Sequence, residues 1–170
     1  MRECFLYAGL GEEGAPAEAL DLFVNFGLRT ASKRITLRSG HRTQADIAFE
    51  QGCLSIGGGA EIYVPYSGFN GSDSTLHYLY NDAIRLAKRY TPFWCRLSED
   101  EQRIYSCACY IVLGMSLMYP VDVIICWTRD SKMQGYFELI KNLADSNGVR
   151  ILNVENLDPF ECFELTSICS

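Results

Sequence analysis

Runs of consecutive apolar residues alternate along this chain with stretches in which apolar positions recur every three or four residues. The first pattern reads as buried strand, the second as amphipathic helix. The opening run Cys4-Phe5-Leu6-Tyr7-Ala8 predicts a strand over 3–8 that stops on Gly9-Leu10-Gly11. Ala19, Leu20, Leu22, Phe23 and Phe26 follow at helical spacing over 17–26. Pro16 suits the first turn of that helix, and Gly27 is its predicted stop. A short strand over 34–37 leads through Ser39-Gly40 into a helix over 43–51, which turns Ala45, Ala48 and Phe49 inward and ends at Gly52. A triple-glycine loop at 57–59 precedes a third strand over 61–65 and a polar, glycine-rich loop over 66–74. Leu76, Leu79, Ala83, Leu86 and Ala87 are in phase for a helix over 75–90. Ser98-Glu99-Asp100-Glu101 reads as a capping box opening a helix that runs to Gly114. After a connector at 115–119 comes the strongest strand, 121–127, apolar except for Asp122, as a central parallel strand should be. A helix over 134–146 and a strand over 149–154 complete the alternation, and the tail 156–170 is ambiguous.

Strands alternating with helices predict an α/β fold, a Rossmann-like parallel sheet flanked by helices on both faces, in one domain over 1–170. Ligands of such sheets sit beyond the carboxyl ends of the strands. The loops near Gly9, Ser39, Tyr66 and Thr128 are therefore the candidate site. The first of them is a glycine-punctuated turn between a strand and a helix. Such a turn offers bare amides and a helix dipole to an anion.

Composition narrows the ligand. The net charge of −6 disfavours nucleic acid, which needs a basic face. Yet Arg29, Lys33, Arg34, Arg38 and Arg42 cluster, which suits a small anionic ligand. No apolar run reaches the ~18 residues of a membrane span, and the start of the chain does not read as a signal peptide. A soluble cytoplasmic protein is expected. The eight cysteines form no C-x-x-C pair and read as small buried hydrophobes, with no metal and no cofactor implied.

Individual residues sharpen the expectation. Gly9 and Gly11 permit a tight turn near an anion, and Glu12 and Glu13 could accept ribose hydroxyls. Ser39 and Gly40 open the second helix, where hydroxyl and amide donors suit phosphate oxygens, with Thr43 as a cap. Arg42 carries a bidentate fork for phosphate. His41 is placed to donate to a phosphate or stack on a base. Asp46 can accept ribose hydroxyls or pair with Arg42, one turn earlier. Tyr66, Phe69 and Asn70 form an aromatic-plus-amide loop able to sandwich a base. Trp127, Thr128 and Arg129 end the best strand at the expected crevice, Thr128 and Arg129 being phosphate donors by type. For each there is a plainer alternative in loop packing or a solvated surface. Glu50, Asp46, Glu138 and Asp130 are carboxylates of the type a glycosidase needs, but no G-x-S-x-G, H-E-x-x-H or Walker loop accompanies them, so no catalytic residue is assigned.

Tyr7-Ala8-Gly9-Leu10-Gly11, Leu37-Arg38-Ser39-Gly40, the run from Ala45 to Gly52, Glu61-Ile62-Tyr63-Val64-Pro65, Gly68-Phe69-Asn70, Val112-Leu113-Gly114 and Asp122 to Thr128 occur in this order. Together they resemble a phage-type member of the SLOG superfamily, Rossmann-like proteins related to the LOG (lysine decarboxylase-like) enzymes and to DprA. The resemblance covers about residues 4–154. It implies a nucleotide-type ligand and self-association. It also places the family's G-G-T loop at Gln134-Gly135-Tyr136, so that Gly135 and Tyr136 join the expected ligand-binding residues, Tyr136 by stacking. The LOG signature P-G-G-x-G-T-x-x-E is missing, and Glu12-Glu13 stands where relatives carry serine-arginine. A crevice kept without its chemistry implies sequestration of a signal such as a cyclic or modified ADP-ribose. The alternatives are a LOG-like nucleotide N-glycosidase and a DprA-like DNA-binding module, the latter opposed by the acidic balance.

Overall fold

The computed structural model describes residues 6–157. The parts of the first predicted strand and of the tail that fall outside this range lie outside the described residues. Five parallel strands, β1 (Leu6–Gly11), β2 (Thr36–Ser39), β3 (Ala60–Ile62), β4 (Val123–Trp127) and β5 (Arg150–Asn153), form one sheet in the order β3-β2-β1-β4-β5. Helices α1 (Ala17–Ser32) and α2 (Gln44–Leu54) cover one face. Helices α3 (Asn81–Tyr90), α4 (Glu99–Leu113) and α5 (Tyr136–Asn147) cover the other. The α/β architecture is the one the alternating pattern predicts.

The strand side chains divide by parity, as a pleated sheet requires. Tyr7, Val123, Ile125 and Trp127 enter the α1/α2 layer, while Ala8, Leu10, Ile124 and Cys126 enter the α3–α5 layer. Both faces of β4 are buried, which is why its sequence is nearly all apolar. In the α1/α2 layer the Phe49 ring stacks on Phe23 with centroids 4.1 Å apart.

Several boundaries differ from the sequence reading, and glycine is the common reason. Gly9 and Gly11 are not in a turn: they are strand residues, paired with Ile125 and Trp127. A Cβ on Gly9 would lie 2.5 Å from Phe49 Cγ, and one on Gly11 would lie 2.3 Å from Ala45 Cβ. Their missing side chains let α2 lie directly on β1. Gly27 and Gly52 do not end helices either. A Cβ on Gly27 would meet the Phe49 carbonyl oxygen at 2.4 Å, and one on Gly52 would meet the Val24 carbonyl oxygen at 1.9 Å. Both glycines sit inside helices, where α1 and α2 cross backbone to backbone. The helix predicted over 75–90 begins only at Asn81, because 75–80 runs as irregular chain alongside β3 and α4; the Leu76 carbonyl accepts from Val64 N, and Tyr110 Oη accepts from Tyr80 N.

The α4 capping box forms as expected. Ser98 Oγ accepts from Glu101 N, and the Glu101 carboxylate accepts from Ser98 N. Residues 106–113 of α4 are all buried within this chain. No helix among the described residues is long and apolar enough to cross a membrane.

Candidate functional site

The strand order reverses direction between β1 and β4, so the crevice beyond their carboxyl ends is the topological switch point of the sheet. Four loops meet at this rim: 12–16 after β1, 40–43 after β2, 63–80 after β3 and 128–135 after β4. Contacts tie them together. Asn70 Nδ2 donates to the carbonyls of His41 and Arg42 at 3.2 and 3.3 Å. Glu12 accepts from Arg129 N at 2.9 Å. Thr43 Oγ1 and Arg42 Nη2 both donate to the Gly11 carbonyl, at 2.9 and 3.0 Å. The reversals predicted from sequence therefore do converge on one side of the molecule.

The amides they were expected to leave bare are not bare. Asp46 is wholly buried, and its carboxylate accepts from Gly11 N and Arg42 N, both at 3.0 Å, and from Thr43 Oγ1 at 3.2 Å. Glu50, also buried, accepts from Ser39 Oγ at 2.7 Å and His41 N at 3.0 Å, and its other oxygen meets His41 Nδ1 at 2.5 Å. Thr128 N donates to the Asn153 side chain. The chain's own oxygens stand where a phosphate was expected. Burial pushes the pKa of Asp46 up, against the pull of Arg42 and the donors of Arg42, Gly11 and Thr43. Burial also raises Glu50, against its bonds from His41 and Ser39, with the nearby Asp46 charge adding to the rise.

This network changes the part played by most of the expected residues. Asp46 and Ser39 spend their polar atoms inside the protein, so neither is a free contact for ribose or phosphate. Gly40 lies against Ile111, its Cβ position 3.0 Å from that side chain, and serves packing. Arg42 lies over the Tyr136 ring, its guanidinium carbon 4.1 Å from the centroid, and its Nε is buried without a partner among the described residues. Tyr136 is consequently buried, capped by Arg42 on its face and by the edge of Tyr105, and is not open to stack on a base. Phe69 is buried against Tyr66, which keeps a half-exposed ring. Thr128 is fully buried, its Oγ1 accepting from Asn153 Nδ2 at 2.6 Å. Arg129 is exposed, with its guanidinium beside Gly14. Gly135 sits at the start of α5 with φ 59°, which favours glycine there. Trp127 donates Nε1–H to Glu155 at 2.5 Å and, with Pro16, Ala19, Leu22, Val154 and Leu157, lines a largely apolar cavity of about 440 Å³ beside the rim, whose wall also carries Glu18 and Glu155.

No protein-family model and no curated protein matches the chain. Two solved structures resemble it in fold. One is the molybdenum cofactor carrier protein of Chlamydomonas reinhardtii, at 13% identity and TM-score 0.42, over 89% of this chain and 92% of that one. The other is the molybdenum cofactor binding protein of Rippkaea orientalis, at 16% identity and TM-score 0.44, over the whole of both chains. Neither likeness bears on ligand or residue roles.

Two features of the rim were not assigned from sequence. Glu50 is the fixed point of the β2–α2 loop. Its position at one turn's spacing from Asp46 was the available signal, since a carboxylate pair on the inward face of a helix must find donors. The second is backbone strain. Among the described residues six non-glycine residues have positive φ, and four of them are His41, Asn70, Asp130 and Ser131, on three of the rim loops. Asp130 and Ser131 are consecutive.

Proposed function

We propose that this protein binds a nucleotide-derived small molecule in the rim crevice between the β1, β2 and β4 loops, and holds it without chemical change. The reading adopts the SLOG resemblance as its frame, in a phage-type member acting in the host cytoplasm. A defence signal of the cyclic or modified ADP-ribose class is the cargo. The observation that carries it is the concentration of left-handed, non-glycine backbone at a single rim, on loops cross-linked by Asn70, Glu12 and Arg42. Such conformations cost about 1–3 kcal/mol each and persist where the surroundings hold a site in shape. The exposed Arg129 guanidinium beside the Gly14 turn supplies positive charge for phosphate. The apolar cavity at Trp127 is of a size to take a base. Self-association belongs to this reading as an implication of the resemblance, and light scattering at micromolar concentration checks it.

Calorimetric titration with ADP-ribose derivatives and cyclic nucleotides tests the proposal, followed by heat denaturation and chromatography of the released ligand. Micromolar binding with recovery of intact ligand is expected. A flat titration with every compound removes the reading. The Glu50–His41 pair favours a second one: an imidazole oriented by a buried carboxylate is an acid–base group of the kind an N-glycosidase could use. Release of free base or free sugar in the same chromatogram would establish that alternative.

A further inference from the structure

The two buried carboxylates of the rim are not equivalent. Asp46 takes two backbone amides and a buried hydroxyl, all groups that hold the chain in place. Glu50 takes the Ser39 hydroxyl and the His41 amide on Oε1, and gives Oε2 wholly to the imidazole of His41. His41 itself has φ 53° and a side chain 19% exposed. Its Nε2 has no hydrogen bond among the described residues. A carboxylate on Nδ1 fixes both the ring orientation and the tautomer, leaving the proton on Nδ1 and a lone pair on Nε2. The charged and titratable groups around this ring are Glu50 and Asp46 from α2 and the neighbouring Arg42. The Ser39 hydroxyl from β2 shares the Glu50 carboxylate, and Asn70 holds the His41 carbonyl from the β3 loop.

The amides of Gly11, His41, Arg42 and Arg129 are already bonded to carboxylates of the chain. A diphosphate laid over the β2–α2 loop would find those donors spent and negative charge beneath them. A hydroxyl would find a preset acceptor. We infer that the β2–α2 loop is a ribose-hydroxyl subsite, in which His41 Nε2 accepts a hydrogen bond from a hydroxyl of the ligand and Glu50 acts as the positioning residue. This rests on the nucleotide-binding reading and adds which part of the ligand faces which loop.

The substitution His41→Asn isolates the atom. Asparagine tolerates the left-handed backbone and keeps a donor that can reach Glu50, but it has nothing at the Nε2 position. The probes are ADP-ribose and two analogues, each with one of the two riboses stripped of its free hydroxyls. By calorimetry His41→Asn should weaken ADP-ribose binding about fivefold, as loss of one neutral hydrogen bond implies. One analogue should bind the variant and the parent equally, since the partners of a single bond are not additive. Glu50→Gln should weaken ADP-ribose binding in the same direction and leave that same analogue unaffected, because it acts only through the orientation of the His41 ring. Equal ADP-ribose affinity in parent and variant, or equal weakening for both analogues, overturns the inference and leaves the binding reading standing. No binding of ADP-ribose by the parent overturns the inference, and the binding reading falls with it only when the other nucleotides also give flat titrations.

Discussion

The loops after β2 and β4 lie on the same rim and are built in opposite ways. Residues 40–43 are held from below by two buried carboxylates on α2, which satisfy the Gly11, His41 and Arg42 amides and the Ser39 hydroxyl. Residues 128–135 are anchored at Thr128 by buried bonds to Asn153 of β5, and beyond it are held at the surface by Glu12 on the Arg129 amide and Asn156 on the Ser131 hydroxyl. Asp130 and Lys132 have most of their side chains in solvent. Exposed bonds of this kind are each worth about 1 kcal/mol or less. The difference implies a fixed half and an adjustable half. The first defines a shape, and the second can rearrange around a ligand.

The largest effect should come from breaking the fixed half. Asp46→Ala leaves the Gly11 and Arg42 amides short of a buried acceptor, and removes a carboxylate that interacts with the Arg42 charge. A loss of about 3–5 kcal/mol is expected in urea unfolding. Asp130→Ala, in the other loop, should cost less than about 0.5 kcal/mol, as for an ordinary surface position. Comparable losses for the two would erase the distinction.

Next in size is Gly11→Ala. If this glycine served a phosphate, the substitution would affect only ligand binding. Because its Cβ would sit 2.3 Å from Ala45 Cβ, α2 must move off β1. A loss of about 1–3 kcal/mol is expected from overpacking alone, measured without any ligand present.

That glycine also shows how far the sequence can be read. The alternation of apolar runs made the parallel sheet legible, because β4 must be apolar on both faces and α4 announces its start with Ser98 and Glu101. The position of the crevice followed from topology. What could not be read was which partner each polar or small residue would meet. A glycine in a strand that packs under a helix and a glycine in a phosphate turn have the same local sequence, so Gly9, Gly11, Gly27 and Gly52 all looked like turns or stops. Ser39, Asp46 and Tyr136 have the right chemistry for a ligand and are used up by Glu50, by backbone amides and by Arg42, all contacts that depend on α2 and α5 being docked.

The pH dependence of stability reports on the fixed half. Burial raises both Asp46 and Glu50 above their ordinary values of 3.8 and 4.5. The folded protein therefore holds these protons more tightly than the unfolded chain does. Stability attributable to them should fall as pH climbs from about 4 through the raised values and level off above, by about 1.4 kcal/mol for each unit of difference. Glu50→Gln should remove part of that slope in unfolding titrations between pH 4 and neutrality.

The smallest effect is a matter of sign. Asp130 and His41 both occupy the left-handed region, at φ 52° and 53°. Glycine at either position relieves a conformational cost of about 1–2 kcal/mol and adds a slightly smaller loss of backbone entropy. At Asp130, whose carboxylate meets only the exposed Lys132, at 3.8 Å, among the described residues, the relief should win. Asp130→Gly is expected to stabilise the protein by about 0.5 kcal/mol while loosening the loop that must close on a ligand. At His41 the same substitution removes the imidazole from a buried carboxylate that has been built to receive it. His41→Gly should therefore destabilise. Two substitutions to glycine at nearly the same dihedral angle, giving stability changes of opposite sign, would place the adjustable half at the β4 loop and the fixed half at the β2 loop; the same sign for both would mean the two loops are held alike.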